Sequence, residues 1–206
     1  MKTNYTPAFP LLHLQPGGAA ILSEEKLFQA CYLASLLEQA RKDAALRAAA
    51  PASATKPSGR VTVMLVDDDC DDRDLFEEVI TGLDSAIEVR AVEDGFKLMK
   101  TLNDPSGILP TLIFLDLNMP GKSGKQCLEE IKTDSRFSTI PVVIYSTSTN
   151  KKDIQDTHVI GASLYVSKPS TFRGLIAVIE KVFSLDLDTL KSTPSLHEFV
   201  LSAENS

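Results

Sequence analysis

The sequence of 206 residues lacks several features that mark whole classes of protein. It has no tryptophan, and its three cysteines, Cys31, Cys70 and Cys127, are widely spaced and include no C-x-x-C pair. An odd number of isolated cysteines argues against a disulfide framework and against a zinc site. No apolar run approaches the roughly 18 residues that a membrane helix requires. We therefore expect a soluble protein of the reducing cytoplasm, without a membrane partner.

Basic residues are scarce in the larger part of the chain. Residues 1–60 carry 7 lysines and arginines against 4 aspartates and glutamates, whereas residues 61–206 carry 14 against 24. This acidic part repels the phosphate backbone of nucleic acids. We therefore expect no nucleic-acid partner.

The first 60 residues divide into three segments. Prolines interrupt residues 1–22, so we interpret them as an irregular tail rather than a signal peptide. Residues 23–49 carry an apolar face at helical spacing behind the N-cap candidate Ser23, which predicts an N-terminal helix. Residues 50–60 are rich in Ala, Ser and Pro and predict a flexible linker. The helix could pair with a copy of itself in a homodimer, although Arg41, Ala44 and Ala48 make a weak seam. A helix that lies against its own domain, or one that is poorly ordered, fits the sequence at least as well.

Residues 61–184 alternate short apolar runs with segments of helical periodicity. The apolar runs predict five strands, at 61–66, 87–91, 112–115, 142–145 and 164–166. Because these runs are mostly unbroken by polar residues, the strands should be buried on both faces. The alternation predicts an α/β domain with a doubly wound, five-stranded parallel sheet. Residues 185–206 show no further strand pattern and no output domain, so we interpret them as a C-terminal tail.

Polar side chains follow four of the predicted strands. Asp67 and Asp68 follow the first, Asp116 the third, Ser146 the fourth and Lys168 the fifth. The carboxyl ends of parallel strands border one crevice, where such sheets bind ligands. Clustered carboxylates repel one another unless they are neutralised or hold a cation, and an all-oxygen set suits Mg²⁺. The crevice is therefore a candidate magnesium site.

Each of these residues also has an ordinary structural explanation. An aspartate at a strand end often caps the next helix, and we favour this role for Asp69, Asp71 and Asp72. Lys168 has the alternative of an exposed lysine before a helix. A phosphoryl group on Asp116, however, would need a hydroxyl, an ammonium and a divalent cation around its oxygens.

Taken together, the chain resembles the receiver domain of bacterial response regulators. The resemblance covers about residues 60–184 and rests on Val66-Asp67-Asp68, Leu115-Asp116 through Met119-Pro120 to Gly124, Ser146, and Lys168-Pro169. It implies the flavodoxin-like receiver fold with Asp116 as phosphoacceptor. It also implies that Asp68 binds Mg²⁺ directly, that Asp67 assists through the metal or its water, and that Asn118 offers its backbone carbonyl.

The resemblance further implies how the phosphoryl group is bound and how its presence is signalled to other proteins. Ser146 and Lys168 would hold the phosphoryl group, and Ser146 and Tyr165 would move as a switch, with the output surface around the fourth helix, fifth strand and fifth helix. The phosphoryl group would come from a sensor histidine kinase or a phosphotransfer protein. The expected protein is a stand-alone two-component response regulator that catalyses only its own phosphorylation and dephosphorylation, and signals to a downstream protein target.

Three alternatives fit the sequence less well. A haloacid-dehalogenase-type phosphatase wants a second acid two residues after its nucleophile, where this chain has Asn118, which cannot serve as a general acid or base. A P-loop around Lys122 fails because Asp116 stands where a glycine is required. A degenerate receiver that only binds proteins would be expected to have lost its acids, hydroxyl and lysine.

Overall fold

The computed structural model describes residues 34–35, 37–39, 42 and 61–201. The strands are β1 Thr62–Val66, β2 Glu88–Val92, β3 Leu112–Leu115, β4 Val142–Ser146, β5 Leu164–Ser167 and β6 Val200–Leu201. The helices are α1 Cys70–Leu83, α2 Gly95–Leu102, α3 Gly124–Thr133, α4 Lys151–Ile160, α5 Phe172–Ser184, α6 Leu187–Leu190 and α7 Leu196–Phe199.

The strands form one parallel sheet in the order β2-β1-β3-β4-β5-β6. The order reverses direction beside β1, which places β1 and β3 next to each other. Every residue of β1 and β3 is buried, as their continuous apolar runs predict. The predicted doubly wound α/β architecture is therefore confirmed.

The sheet separates two apolar cores, because successive residues of a strand point to opposite faces. Val63 and Leu65 of β1 belong to one core, which α1 and α5 cover, whereas Met64 and Val66 belong to the other. The second core is covered by α2, α3 and α4. Helices on both faces hold the carboxyl ends of the central strands in fixed relative positions.

The predicted number of five strands is wrong, because the segment interpreted as a C-terminal tail supplies a sixth. Val200 and Leu201 pair with Tyr165 and Val166 of β5. Before them, Phe199 is fully buried, and the Ser163 hydroxyl donates a hydrogen bond to the Leu190 carbonyl. A strand of two residues is too short to show an alternating pattern, so the sequence carried no strand signal here. Residues 202–206 lie outside the described part of the chain.

Six residues of the predicted N-terminal helix are described, and residues 34–35, 37–39 and 42 are helical. Leu37 is buried in the core beside α1. A Cβ at Gly82 of α1 would lie only 2.7 Å from Leu37 Cδ2, so the glycine makes room for this contact. The contact supports packing of the helix against its own domain. The predicted tail at 1–22, the linker at 50–60 and most of the predicted helix lie outside the described residues.

Among the residues that the structure describes, no helix combines the length and the apolar character needed to cross a membrane.

Candidate functional site

Backbone pairing brings the two acidic strand ends together. Val66 of β1 pairs with Leu115 of β3. Asp116, the residue after Leu115, donates its N–H to the Val66 carbonyl at 2.9 Å. Asp67 donates its N–H to the Val92 carbonyl on the other side at 3.1 Å. Both aspartates are buried, with 0% of Asp67 and 5% of Asp116 exposed. The sheet therefore presents two buried carboxyl groups at the same edge.

Three carboxylates form one cluster at this edge. Oxygen atoms of Asp67, Asp68 and Asp116 all lie within 4.8 Å of one another, and the Asp68 side chain is exposed. Burial raises the pKa of Asp67 and outweighs the lowering by the nearby Lys168 ammonium. The cluster thus concentrates negative charge that a counter-charge must stabilise.

One oxygen of Asp67 stands out in this cluster. Lys168 Nζ lies 2.6 Å from Asp67 Oδ2, but outside hydrogen-bond geometry. Among the described residues, no donor forms a hydrogen bond with this buried oxygen. A buried carboxylate oxygen in an all-oxygen set, beside an exposed carboxylate open to solvent, fits a hard divalent cation. The residues present therefore fit the predicted magnesium ion.

Asn118 lies at the rim of the cluster and is exposed. Its N–H donates to Asp116 Oδ1 at 3.3 Å, and its side-chain amide lies 3.4 Å from Ser146 Oγ. These contacts connect the loop after β3 with the end of β4. The predicted role of the Asn118 backbone carbonyl as a metal ligand stays a prediction.

The loop after Asp116 folds back closely on the strand end. Gly124, the first residue of α3, donates its N–H to the Leu117 carbonyl at 3.1 Å. A Cβ at Gly124 would lie 1.9 Å from the Asp116 carbonyl oxygen, so only glycine fits there. Ser123 caps α3, and its side chain and that of Gln126 form a capping box. The start of α3 thus fixes the backbone of Asp116.

Ser146 ends β4 and is fully buried. Its hydroxyl oxygen accepts long hydrogen bonds, both of 3.4 Å, from the Asn118 amide and the Ser148 N–H. Because such long bonds are weak, the hydroxyl is held loosely. The Ser146 side chain is therefore able to turn and donate its O–H to an acceptor in the crevice.

Lys168 is the cation of the site. Its N–H donates to the Ser146 carbonyl at 2.9 Å, which fixes its backbone to the end of β4. Its ammonium lies 2.6 Å from Asp67 Oδ2 and 3.4 Å from Asp116 Oδ2, with 8% of the side chain exposed. Burial lowers the Lys168 pKa, but the close negative charges of the Asp67 and Asp72 carboxylates outweigh burial, so the pKa lies above its usual value. The lysine is therefore charged and joins β5 to both acidic strand ends.

Tyr165, the predicted switch aromatic, points into the protein. It is fully buried, and its hydroxyl donates a hydrogen bond of 2.7 Å to the Ser148 carbonyl. Its ring centroid lies 6.2 Å from that of Phe199 in the C-terminal segment. The tyrosine thus contacts both the loop after Ser146 and the segment that precedes β6. Movement of the pair Ser146 and Tyr165 stays a prediction.

Two residues of α1 contribute to the site without having been predicted. Asp69 is the N-cap of α1, in agreement with the predicted capping role, and accepts from the N–H groups of Asp71 and Asp72. Asp72, however, places its own carboxylate 2.8 Å from Lys168 Nζ. Arg73 donates from Nη1 to the Asp67 carbonyl at 2.7 Å. The only sequence signal for Asp72 and Arg73 was their position in the first turn of the helix that follows the acidic end of β1.

The family profile described as "Response regulator receiver domain" matches residues 63–180, which is more than half of the chain. The chain belongs to the response regulator receiver family. The match spans the whole acidic cluster together with Ser146 and Lys168, so the resemblance inferred from the strand ends is confirmed.

Individual relatives match about two thirds of this chain over nearly their whole length and share its fold. Response regulator Rcp1 of Synechocystis is 31% identical over 135 residues, which cover 62% of this chain and 90% of Rcp1. The phosphorylated cyanobacterial phytochrome response regulator RcpA has a TM-score of 0.60 at 32% identity, covering 64% of this chain and 96% of RcpA. The Mn²⁺-bound form of Rcp1 has a TM-score of 0.58 at 29% identity, and the match covers 66% of this chain and 99% of that structure's chain.

Proposed function

We propose that this receiver accepts a phosphoryl group on Asp116 from a sensor histidine kinase or a phosphotransfer protein and signals through changed contacts with a downstream protein. One observation carries this proposal: the Lys168 ammonium reaches the carboxylates of both Asp67 and Asp116 at the mouth of one crevice. A charged lysine beside a buried carboxylate is suited to receive a tetrahedral anion there.

Each side chain has a distinct task in the transfer. An Asp116 carboxylate oxygen attacks phosphorus, and the bond from phosphorus to the donor breaks, so the donor leaves with the bonding electrons. Lys168 neutralises one phosphoryl oxygen as it arrives. The Ser146 hydroxyl, whose oxygen accepts two long bonds of 3.4 Å, turns to donate its O–H to another phosphoryl oxygen. In-line positioning and charge stabilisation, rather than proton transfer, drive this reaction.

The proposal includes a magnesium ion. Asp67, Asp68 and Asp116 would hold it, with the Asn118 backbone carbonyl as a further ligand. When bound, Mg²⁺ supplies positive charge that offsets the repulsion between the carboxylates and the phosphoryl oxygens. Two related structures support this assignment, because one is phosphorylated RcpA and the other is the Mn²⁺-bound form of Rcp1.

We further propose that the protein turns over no external substrate. The residue two positions after Asp116 is Asn118. Its amide cannot exchange a proton with water or with a leaving group. Phosphoryl loss would therefore occur by attack of water without a general base at Asn118, and it would end each signal. A cytoplasmic location agrees with the free thiols of Cys70 and Cys127.

The C-terminal segment affects which surface a downstream protein is able to contact. The output surface predicted around α4, β5 and α5 is partly covered by the chain itself, since β6 pairs with β5 and α7 contacts α4. We propose that a downstream protein meets this segment, rather than a bare β5, when it reads the state of Tyr165.

Incubation with acetyl phosphate and Mg²⁺, followed by mass spectrometry of the intact protein and of its peptides, tests the proposal. We expect one phosphoryl group on Asp116, and none when EDTA replaces Mg²⁺. Asp116→Asn should remain unmodified, whereas Asp104→Asn, a change of equal charge on an exposed loop, should be modified like the wild type. A phosphoryl group on another residue, or none on a folded wild-type protein, would refute the assignment.

A further inference from the structure

The Lys168 ammonium is shared among three carboxylates, and one of these does not belong to a strand end. Asp67 and Asp116 follow β1 and β3, whereas Asp72 lies in the first turn of α1. Asp72 Oδ2 accepts a hydrogen bond of 2.8 Å from Lys168 Nζ. The lysine is therefore held from the helix side as well as from the sheet.

The three distances rank the partners of the lysine. Asp67 and Asp72 lie 2.6 and 2.8 Å from Nζ, and Asp116 lies at 3.4 Å. The proposed phosphoacceptor thus makes the longest of the three contacts. With 8% of its side chain exposed, Lys168 has little access to water in place of a lost partner. The resting position of the ammonium is set mainly by Asp67 and Asp72.

Phosphorylation changes what the ammonium faces. A phosphoryl group on Asp116 adds about 1.5 to 2 negative charges and extends beyond the present carboxylate oxygens. Asp67 is buried and fixed by its backbone contacts, whereas 40% of the Asp72 side chain is exposed, so Asp72 is the partner that can be released to water at low cost.

We propose that Asp72 is a positioning residue that holds Lys168 in the resting protein and is exchanged for a phosphoryl oxygen during transfer. The inference rests on the function proposed above. No proton moves in this exchange: the ammonium keeps its charge, Asp72 becomes hydrated, and the phosphoryl oxygen takes over the N–H bond while the phosphorus bond to the donor breaks. Because the ammonium has left Asp72 in both the transition state and the phosphorylated state, Asp72 slows phosphorylation and leaves phosphoryl loss unchanged.

The matched pair Asp72→Asn and Asp71→Asn tests whether Asp72 affects the rate of phosphorylation but not the rate of phosphoryl loss. Both variants remove one negative charge from the first turn of α1, but Asp71 is exposed and its carboxylate is not one of the three that hold Lys168. Acetyl phosphate is added at a Mg²⁺ concentration that saturates each variant. Phosphorylation is followed by intact mass spectrometry of quenched samples, and phosphoryl loss is followed after desalting. Urea unfolding confirms that each variant is folded.

We expect Asp72→Asn to be phosphorylated about two- to five-fold faster than Asp71→Asn, the range that the loss of one partly exposed ion pair gives. The rate constants for phosphoryl loss should agree among the wild type and both variants. Equal phosphorylation rates in the two variants, or slower phosphorylation of Asp72→Asn, would overturn the role of Asp72 while leaving Asp116 as acceptor. A wild type that takes up no phosphoryl group would instead remove the proposed function and this inference with it.

Discussion

Phe199 should be a main anchor of the C-terminal segment, and its removal offers a quantitative test of the sixth strand. The ring is fully buried and lies 4.9 Å from the His158 ring of α4 and 6.2 Å from Tyr165 of β5, centroid to centroid. Truncation of a buried phenylalanine to alanine costs about 3 to 5 kcal/mol, through lost transfer energy and the cavity that remains. We therefore expect Phe199→Ala to lower the free energy of unfolding by about 3 kcal/mol or more.

Urea unfolding monitored by circular dichroism measures this loss. With a slope of about 2 kcal/mol per molar urea, the midpoint of Phe199→Ala should fall by roughly 1.5 to 2.5 M. Leu196→Ala is the matched control, because Leu196 lies in the same short helix but is 44% exposed. It should change the free energy of unfolding by no more than about 0.5 kcal/mol. The reasoning is refuted if both variants unfold at the urea midpoint of the wild type, since burial of Phe199 would then contribute nothing to the stability of the domain.

The remaining predictions concern the site and the thiols. Gly124→Ala should lower the free energy of unfolding by about 1 to 3 kcal/mol, because its Cβ would lie 1.9 Å from the Asp116 carbonyl oxygen; an unchanged urea midpoint would contradict the close approach. Mg²⁺ at about 100 times its dissociation constant should stabilise the wild type by about 2.7 kcal/mol in thermal unfolding, and this gain should be much smaller for Asp68→Asn. Iodoacetamide at pH 8 should modify exposed Cys70 but not buried Cys127, whose pKa burial raises to about 11, as peptide mass spectrometry will show; equal labelling of the two would contradict this burial.

Much of the fold was predictable because its strands are buried on both faces. β1, β3 and β4 consist of apolar residues apart from Thr62 and Ser146, and the prediction placed these strands to within one residue at each end. β6 was missed for a physical reason. Its two residues owe their conformation to pairing with β5 and to the burial of Phe199, which are contacts between distant parts of the chain that no local pattern records.

The candidate site was predictable to the extent that it lies at strand ends. Register in a parallel sheet brings Asp67 and Asp116 together, and Lys168 reaches them because β4 and β5 pair in register. Asp72 was assigned to helix capping, since its distance from a lysine 96 residues later depends on how α1 crosses the sheet. Long-range contacts of helix side chains were thus the part that sequence patterns did not reveal.

The sixth strand also changes the outer border of the sheet. A sheet edge exposes unpaired N–H and C=O groups, which can recruit strands of other molecules and start aggregation. Without β6, this border would be the four-residue β5, which contains the apolar residues Leu164, Tyr165 and Val166. In the described part of the chain, the outermost strand on that side has only two residues, Val200 and Leu201. The C-terminal segment therefore shortens the edge that a foreign strand can use and protects the domain against self-association through β5.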